Sequence, residues 1–319
     1  MRYLVTGGAG FIGSHLCELL LSLGHQVITI DNFSTSNQNN IRVSLQHKKF
    51  TLIEADVSTY AELSTIMNTC DGVFHLAASV GVATIINHPL SSLKNSLLAT
   101  EVVLQVAATK KIPVLYTSSS EVYGLSTKTS FTETDPVILG SPHKARWLYA
   151  TEKLLGEHLA LAYRKELGLP VIIVRLFNTV GPRQSAEYGM VVPRFITQAR
   201  ANQPLTVYGD GSQQRCFTSV FDVSHALYSL MQSKNALGQI VNVGNDKPVS
   251  ISQLADEIIS LTKSQSTKKY ISYQEVHPEF AEMPYRKPNI ALAKRIINFQ
   301  PNRNLRTMLK KTVEYFSLE

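Results

Sequence analysis

A glycine turn close to the start of the chain limits what the chain can fold into. Residues 3–13 read Tyr3-Leu4-Val5-Thr6-Gly7-Gly8-Ala9-Gly10-Phe11-Ile12-Gly13. A short β-branched run leads into glycines that satisfy GxxGxxG (Gly7, Gly10, Gly13) and GxGxxG (Gly8, Gly10, Gly13), and an amphipathic stretch then runs to Leu23. Strand, turn and helix in that order form the context of a dinucleotide fingerprint. The glycines allow a tight turn and close approach of backbone to a pyrophosphate, and the helix start at Phe11–Ser14 offers its free N–H groups and dipole to that anion. Asp31 ends the next apolar run and is placed to accept from the adenosine ribose hydroxyls. An acid there repels the extra phosphate of NADP, and the following Asn32-Phe33-Ser34 supplies no arginine, so NAD is the expected cofactor. A turn used only for packing would not need strand, helix and Asp31 in register.

The first half of the chain repeats the strand–helix alternation. Tyr3–Thr6, Val27–Ile30, Thr51–Ile53, Val73–Leu76, Val114–Thr117 and Val171–Val174 are short and apolar on both faces, as buried parallel strands are. Helical patterns lie between them at Phe11–Leu23, Ala61–Met67 and Leu97–Ala108, and residues 32–40 form a polar loop. The reading is α/β: a Rossmann-type doubly wound parallel sheet with a smaller C-terminal α/β substrate lobe. We place the NAD-binding domain at 1–178 and the substrate lobe at 179–319. The boundary is soft, because later segments can rejoin the first sheet.

With 44% apolar and 17% charged residues among 319, the chain can build a buried core. The net charge of +7 fits nucleic acid, an acidic membrane or an anionic small molecule. Basic residues cluster in the second half (Arg183, Arg194, Arg200, Arg215, Lys287, Arg295, Arg303, Arg306, Lys310, Lys311) without an aromatic-basic stripe, so nucleic acid is not expected. Cys17, Cys70 and Cys216 form no CxxC pair, so neither a metal site nor a disulfide framework is expected. No apolar run reaches a membrane span, and Met1-Arg2 leads straight into the first strand. We expect a cytoplasmic protein.

Tyr149 and Lys153 are four apart in a helical pattern and share one face. A phenol, with its ordinary pKa of ~10, is a poor base at neutral pH. A neighbouring ammonium and a positive nicotinamide should bring it towards working pH. The fifth strand exits into Ser118-Ser119-Ser120-Glu121, where ligand sites of such sheets lie. A serine there either donates to the oxygen that Tyr149 deprotonates or bonds local backbone. Leu76-Ala77-Ala78 ends the fourth strand with small residues that let a cofactor pass, while His75 reads as a core histidine. Asp56-Val57 either contacts adenine or forms a surface turn.

Taken together, these segments resemble the extended short-chain dehydrogenase/reductase family, specifically its nucleotide-sugar epimerases, dehydratases and decarboxylases. The resemblance spans GGAGFIGSHL (7–16), DNF (31–33), HLAA (75–78), SSSEVYG (118–124), YATEK (149–153), RLFNTVGPR (175–183), VVPRFI (191–196), PLTVYGDGSQQR (204–215) and RKPNI (286–290). It implies a UDP-sugar substrate and a catalytic set of Ser119, Tyr149 and Lys153, with Ser120 beside the sugar. It further implies Asn178 and Arg215 on the diphosphate, and Val192 with the Thr206–Tyr208 strand (Thr206, Tyr208) at the uracil.

Relatives of this kind begin alike: the tyrosine takes the proton of the sugar 4-hydroxyl as C4 is oxidised by NAD. A 4,6-dehydratase carries Asp-Glu after its hydroxyl residue; here the pair is Ser120-Glu121, which disfavours dehydration. A UDP-glucuronate decarboxylase carries Ser-Glu, preceded by Thr, and an Arg in an RKP segment. Ser120-Glu121 and Arg286-Lys287-Pro288 keep that reading open. Ser119 in place of Thr and the loop Ser79-Val80-Gly81-Val82 look more like the epimerases. We therefore place a UDP-hexose or UDP-hexuronate 4-epimerase first and the decarboxylase second. Arg286 is either a carboxylate partner or a surface ion pair, and Glu121 is either chemical or a loop anchor. A non-catalytic NAD sensor would not need Tyr149 and Lys153. Relatives usually dimerise through the helix bearing Tyr149, so a homodimer is expected; Leu154, Leu155, Leu159 and Leu161 either serve that contact or face the sheet.

Overall fold

Seven strands run parallel in the order Ile240–Val243, Val171–Leu176, Val114–Ser119, Gly72–His75, Arg2–Thr6, Gln26–Asp31 and Phe50–Glu54. The computed structural model describes residues 1–78, 89–144, 146–187, 189–272, 275, 285–301 and 304–317; the expected epimerase-like loop at Ser79–Val82 and Arg303 lie outside them. The strands are β1 (Arg2–Thr6), β2 (Gln26–Asp31), β3 (Phe50–Glu54), β4 (Gly72–His75), β5 (Val114–Ser119), β6 (Val171–Leu176) and β11 (Ile240–Val243). Each expected strand is present within a residue or two. The order reverses beside β1, which pairs with β2 on one side and β4 on the other. A crevice opens at the carboxyl ends there, the place where doubly wound sheets bind ligands.

Helix α1 (Phe11–Ser22) packs Leu16 and Leu20, one turn apart, into the core with α6 (Val220–Gln232). It ends in a left-handed Gly24 (φ 83°), where the amides of Gly24 and His25 return to Leu21 and Leu20. The opposite face of the sheet is covered by α3 (Pro89–Lys110) and α4 (Arg146–Leu167), with short α2 (Leu63–Met67) beside α3. Helix α3 begins eight residues before the expected Leu97, because Ser91, Ser92, Asn95 and Ser96 make its first turns polar. Of the leucines considered for a dimer, Leu154, Leu159 and Leu161 pack inwards and only Leu155 is exposed. These leucines therefore carry no argument for a dimer.

Beyond β6 the chain adds short pairs: β7 (Thr179–Val180) with β10 (Thr218–Ser219), β8 (Leu205–Tyr208) with β13 (Lys268–Ile271), and β9 (Gln214–Cys216) with β12 (Pro248–Ser250). Their core is shared with α5 (Val191–Arg200), α7 (Ile251–Thr262) and α9 (Leu305–Phe316). Helix α7 opens on a capping box between Ser250 and Gln253. Residues 220–243 return to the first sheet as α6 and β11, and α8 (Ala291–Ile297) packs there too. No helix among the described residues is long and apolar enough to cross a membrane.

His75 is buried at the end of β4, its Nδ1 2.7 Å from Thr6 Oγ1 and its Nε2 3.1 Å from Thr100 Oγ1. Desolvation, aided by the charge of Lys153, lowers its pKa to about 3. The unfolded value is ~6.5, so this stabilisation is complete above that value and is lost as pH falls. Urea unfolding should show a loss of about 2 kcal/mol from this residue between about pH 7 and pH 5, and His75→Gln should flatten the slope.

Candidate functional site

The crevice is a cleft of about 1040 Å³, above the usual volume for one small ligand. Gly7, Gly10, Phe11, Ile12 and Gly13 line one end, with Asp31, Asn32, Asp56, Val57, Leu76, Ala77 and Ala78. The glycine turn is tight for steric reasons. A Cβ on Gly13 would lie 2.1 Å from the Gly7 carbonyl oxygen, and one on left-handed Gly7 (φ 72°) would lie 2.8 Å from the Ala77 nitrogen. Gly10 differs: a Cβ there would meet only the Gly7 oxygen, at 3.2 Å, so its lack of a side chain keeps cleft space open. The first helical bond runs from Ser14 N to Gly10 O, leaving the amides of Phe11–Gly13 outside the ladder for an anion.

Asp31 anchors this end. Its carboxylate accepts from Ala9 N (2.8 Å), Phe33 N (3.0 Å) and Ser36 Oγ (2.7 Å). Asp56 accepts from Ser58 and, at 3.1 Å, from Asn32 Nδ2. Partial burial pushes its carboxyl up, but the bonds from Ser58 and Asn32 prevail and hold it below the usual range. Asn40, buried behind the polar loop, donates to Ala9 O at 2.9 Å.

At the other end β5 delivers Ser119, whose Oγ accepts from Glu121 N (3.2 Å) and caps the 3-10 turn Ser120–Tyr123. The local-backbone role weighed for the serine is thus present, and the same side chain opposes the rise of the Tyr149 hydroxyl. Lys153 lies one helical turn from Tyr149, with Nζ 5.9 Å from the tyrosine ring centre and 3.9 Å from Glu152 Oε1. In the protein alone, desolvation raises the Tyr149 hydroxyl far above its ordinary value, and Glu152 adds to this; Ser119 and Arg286 oppose it. Desolvation also lowers Lys153, against the pull of Glu152. In the protein alone burial prevails, and the lowering of the phenol expected from Lys153 together with a positive nicotinamide belongs to the cofactor-bound state.

Glu121 and Arg286 meet across the cleft wall, Nη1 to Oε1 at 2.7 Å. Arg286 is only 9% exposed, and its Nε is buried without a hydrogen-bond partner. Ser120, Asn178, Val192 and Arg215 also line the cleft; Asn178 Nδ2 donates to Cys216 O (3.3 Å) and Arg215 Nη1 to Gln214 O (2.8 Å). Thr206 and Tyr208 do not line it. The Thr206 hydroxyl bonds Gln198, while the Arg194 guanidinium sits 4.3 Å above the Tyr208 ring. Sequence reasoning missed Ser92, Asn95 and Ser96, whose shared helix face was a usable signal. It also missed Arg183, Gln184, Tyr315 and Phe316.

Among known proteins, the chain matches the NAD dependent epimerase/dehydratase family over residues 3–244. The chain belongs to that family. It is 40% identical over 321 residues to the UDP-N-acetyl-alpha-D-glucosaminuronate decarboxylase of Bacillus cytotoxicus, covering 99% of this chain and 97% of that protein. It is 35% identical to UDP-glucuronic acid decarboxylase 1 of Danio rerio, over 100% of this chain and 73% of that protein. Among solved structures, UDP-glucuronic acid 4-epimerase of Bacillus cereus, in complex with UDP-glucuronic acid and NAD, superposes with a TM-score of 0.90. That protein is 29% identical, with 100% of this chain and 99% of that one covered. The family is one of NAD-dependent nucleotide-sugar epimerases and decarboxylases, and NAD is the cofactor. The glycine turn fits it: the open space at Gly10 and the free amides beyond are suited to a pyrophosphate.

Gly10→Ala should cost little thermal stability, its Cβ meeting the Gly7 carbonyl at 3.2 Å, while weakening NAD binding about tenfold, or ~1.4 kcal/mol, by calorimetry. Gly13→Ala should instead destabilise the fold, since its Cβ overlaps the Gly7 carbonyl.

Proposed function

We propose that this protein decarboxylates a UDP-hexuronate, of which UDP-glucuronate is the reference, to a UDP-pentose and carbon dioxide. The observation that carries this reading is the Glu121–Arg286 pair at the sugar end of the cleft. A bare buried arginine would hold the sugar carboxylate as an anion and oppose its loss. An arginine already neutralised by Glu121 orients the carboxylate through its remaining N–H groups with little net charge, and lets the group leave as neutral carbon dioxide.

When bound, NAD supplies a hydride acceptor and donor for the sugar and a positive charge that lowers the Tyr149 hydroxyl. Tyr149 then takes the proton of the sugar 4-hydroxyl, and Ser119 donates to the same oxygen. Oxidation at C4 turns the C6 carboxylate into a β-keto acid. Its C5–C6 bond breaks heterolytically, carbon dioxide leaves, and the electron pair stays as an enolate on C5 and O4. Tyr149 and Ser119 hold that charge through their hydroxyl hydrogens. A proton then adds at C5 and the ketone is reduced, so one proton is consumed overall. Lys153 keeps a cation within reach of these oxygens, and Phe11–Gly13 with Asp31 hold the cofactor. Asn178 and Arg215 take the diphosphate and Val192 the base.

The relatives covering almost the whole chain at 40% and 35% identity support this order, which reverses that expected from sequence. The second reading, UDP-hexuronate 4-epimerisation, draws on Ser119 and on the likeness to the Bacillus cereus epimerase. It needs the keto sugar to rotate while keeping its carboxylate. The UDP-sugar enters either reading by likeness to these proteins.

Purified protein should be incubated with NAD and, separately, UDP-glucuronate, UDP-glucose and UDP-N-acetylglucosamine, and followed by proton NMR. We expect pentose anomeric signals from UDP-glucuronate alone, without net reduced cofactor. A hexuronate epimer would replace this reading with the second, and no turnover would reject both. Tyr149→Phe should lower turnover roughly 10²–10⁴-fold.

A further inference from the structure

Asn242 lies on β11, outside the cleft, yet it is wholly buried, and its side-chain amide and backbone N–H are all engaged. Its Oδ1 accepts from Tyr123 Oη at 2.8 Å. Its Nδ2 donates to Phe131 O (3.0 Å) and Asn289 O (3.4 Å), and its backbone N–H donates to Glu133 Oε1 (2.9 Å). These partners lead to the two halves of the ion pair. Tyr123 closes the 3-10 turn that begins one residue before Glu121. Phe131 and Asn289 belong to a bridge in which Phe131 N donates to Lys287 O (2.9 Å) and Asn289 N to Phe131 O (2.8 Å), directly after Arg286. The Tyr123 ring stacks on Phe131 with centres 4.8 Å apart.

Glu121 and Arg286 are distant in sequence and arrive on separate segments. The one amide of Asn242 bonds a residue close to each, Tyr123 two positions after Glu121 and Asn289 three positions after Arg286. We infer that Asn242 is a positioning residue: a clasp that sets Glu121 against Arg286 and thereby tunes the end of the cleft that meets a sugar carboxylate. The inference rests on the proposal that this pair faces the carboxylate. Removing the Tyr123 hydroxyl leaves the buried Asn242 oxygen without its donor and loosens the turn that sets Glu121 against Arg286, whose buried Nε has no partner to hold it.

The test uses full-length, NAD-loaded protein and four forms: wild type, Tyr123→Phe, Glu121→Gln and the double variant. Tyr123→Phe keeps the ring and the fold; Asn242→Asp, which removes the donors to Phe131 and Asn289, is the stronger companion. The readout is the ratio of affinities for UDP-glucuronate and for UDP, which registers the sugar end whether or not turnover follows. We expect Tyr123→Phe to leave UDP affinity unchanged and to shift the ratio about three- to tenfold, and to have no further effect in the Glu121→Gln background. A purely structural role would leave the ratio unmoved or multiply independently with Glu121→Gln, and either result overturns the inference. Carbon dioxide release measured in parallel separates the two ideas. A shifted, non-additive ratio without carbon dioxide removes the decarboxylation and keeps the clasp, whereas carbon dioxide with an unmoved ratio does the reverse.

Discussion

The site depends on a buried ion pair beneath it. Arg175 on β6 holds Glu157 on α4 in a fork, Nε to Oε1 at 2.9 Å and Nη2 to Oε2 at 2.7 Å, and Ser118 on β5 donates to the same carboxylate at 2.5 Å. All three residues are nearly inaccessible. Tyr149, Lys153 and Glu157 succeed one another at intervals of four on α4, so the fork fixes the face that carries the proposed acid–base pair. It also fixes the strand end that carries Ser119. Removing one partner of such a pair costs about 3–5 kcal/mol, because the other is left as an unpaired buried charge.

From that anchor the cleft divides by electrostatics. The cofactor end offers backbone amides and a carboxylate already engaged with its own loop. The end proposed for the sugar offers hydroxyls, a desolvated phenol, and a guanidinium neutralised in advance. The excess positive charge of the chain is not concentrated in the cleft. Cations are tied down elsewhere, as in Arg306–Glu257 and Lys268–Asp256, and the cleft's own Arg183 is paired with Glu18. Net charge is therefore a poor guide to the partner here, and two or three placed cations are a better one.

Much of the fold was legible in sequence because its signals are local. Buried parallel strands declare themselves as apolar runs, and the glycine turn with Asp31 declares its geometry through steric need. Tyr149 and Lys153 were readable as sharing a helix face from their spacing, and as site candidates only because the glycine turn precedes them. What was not legible depends on pairs remote in sequence. The return of Ile240–Val243 to the sheet, the fork of Arg175 on Glu157, and the meeting of Glu121 with Arg286 leave no periodic trace. Tyr315 and Phe316 enter the cleft from the last helix for the same reason. Thr206 and Tyr208 were placed at the ligand by motif, whereas Gln198 and Arg194 occupy them. That Tyr149 is buried deeply enough to raise its hydroxyl in the protein alone was not legible, because depth of burial cannot be read from spacing.

The most direct measurement follows the carboxyl carbon itself. UDP-glucuronate labelled with carbon-13 at C6 is turned over by NAD-loaded protein and monitored by carbon NMR. If Glu121 neutralises Arg286 so that the carboxylate is released, the label appears as bicarbonate in step with loss of the substrate signal. Label retained on C6 of a converted hexuronate would contradict this account of the sugar end.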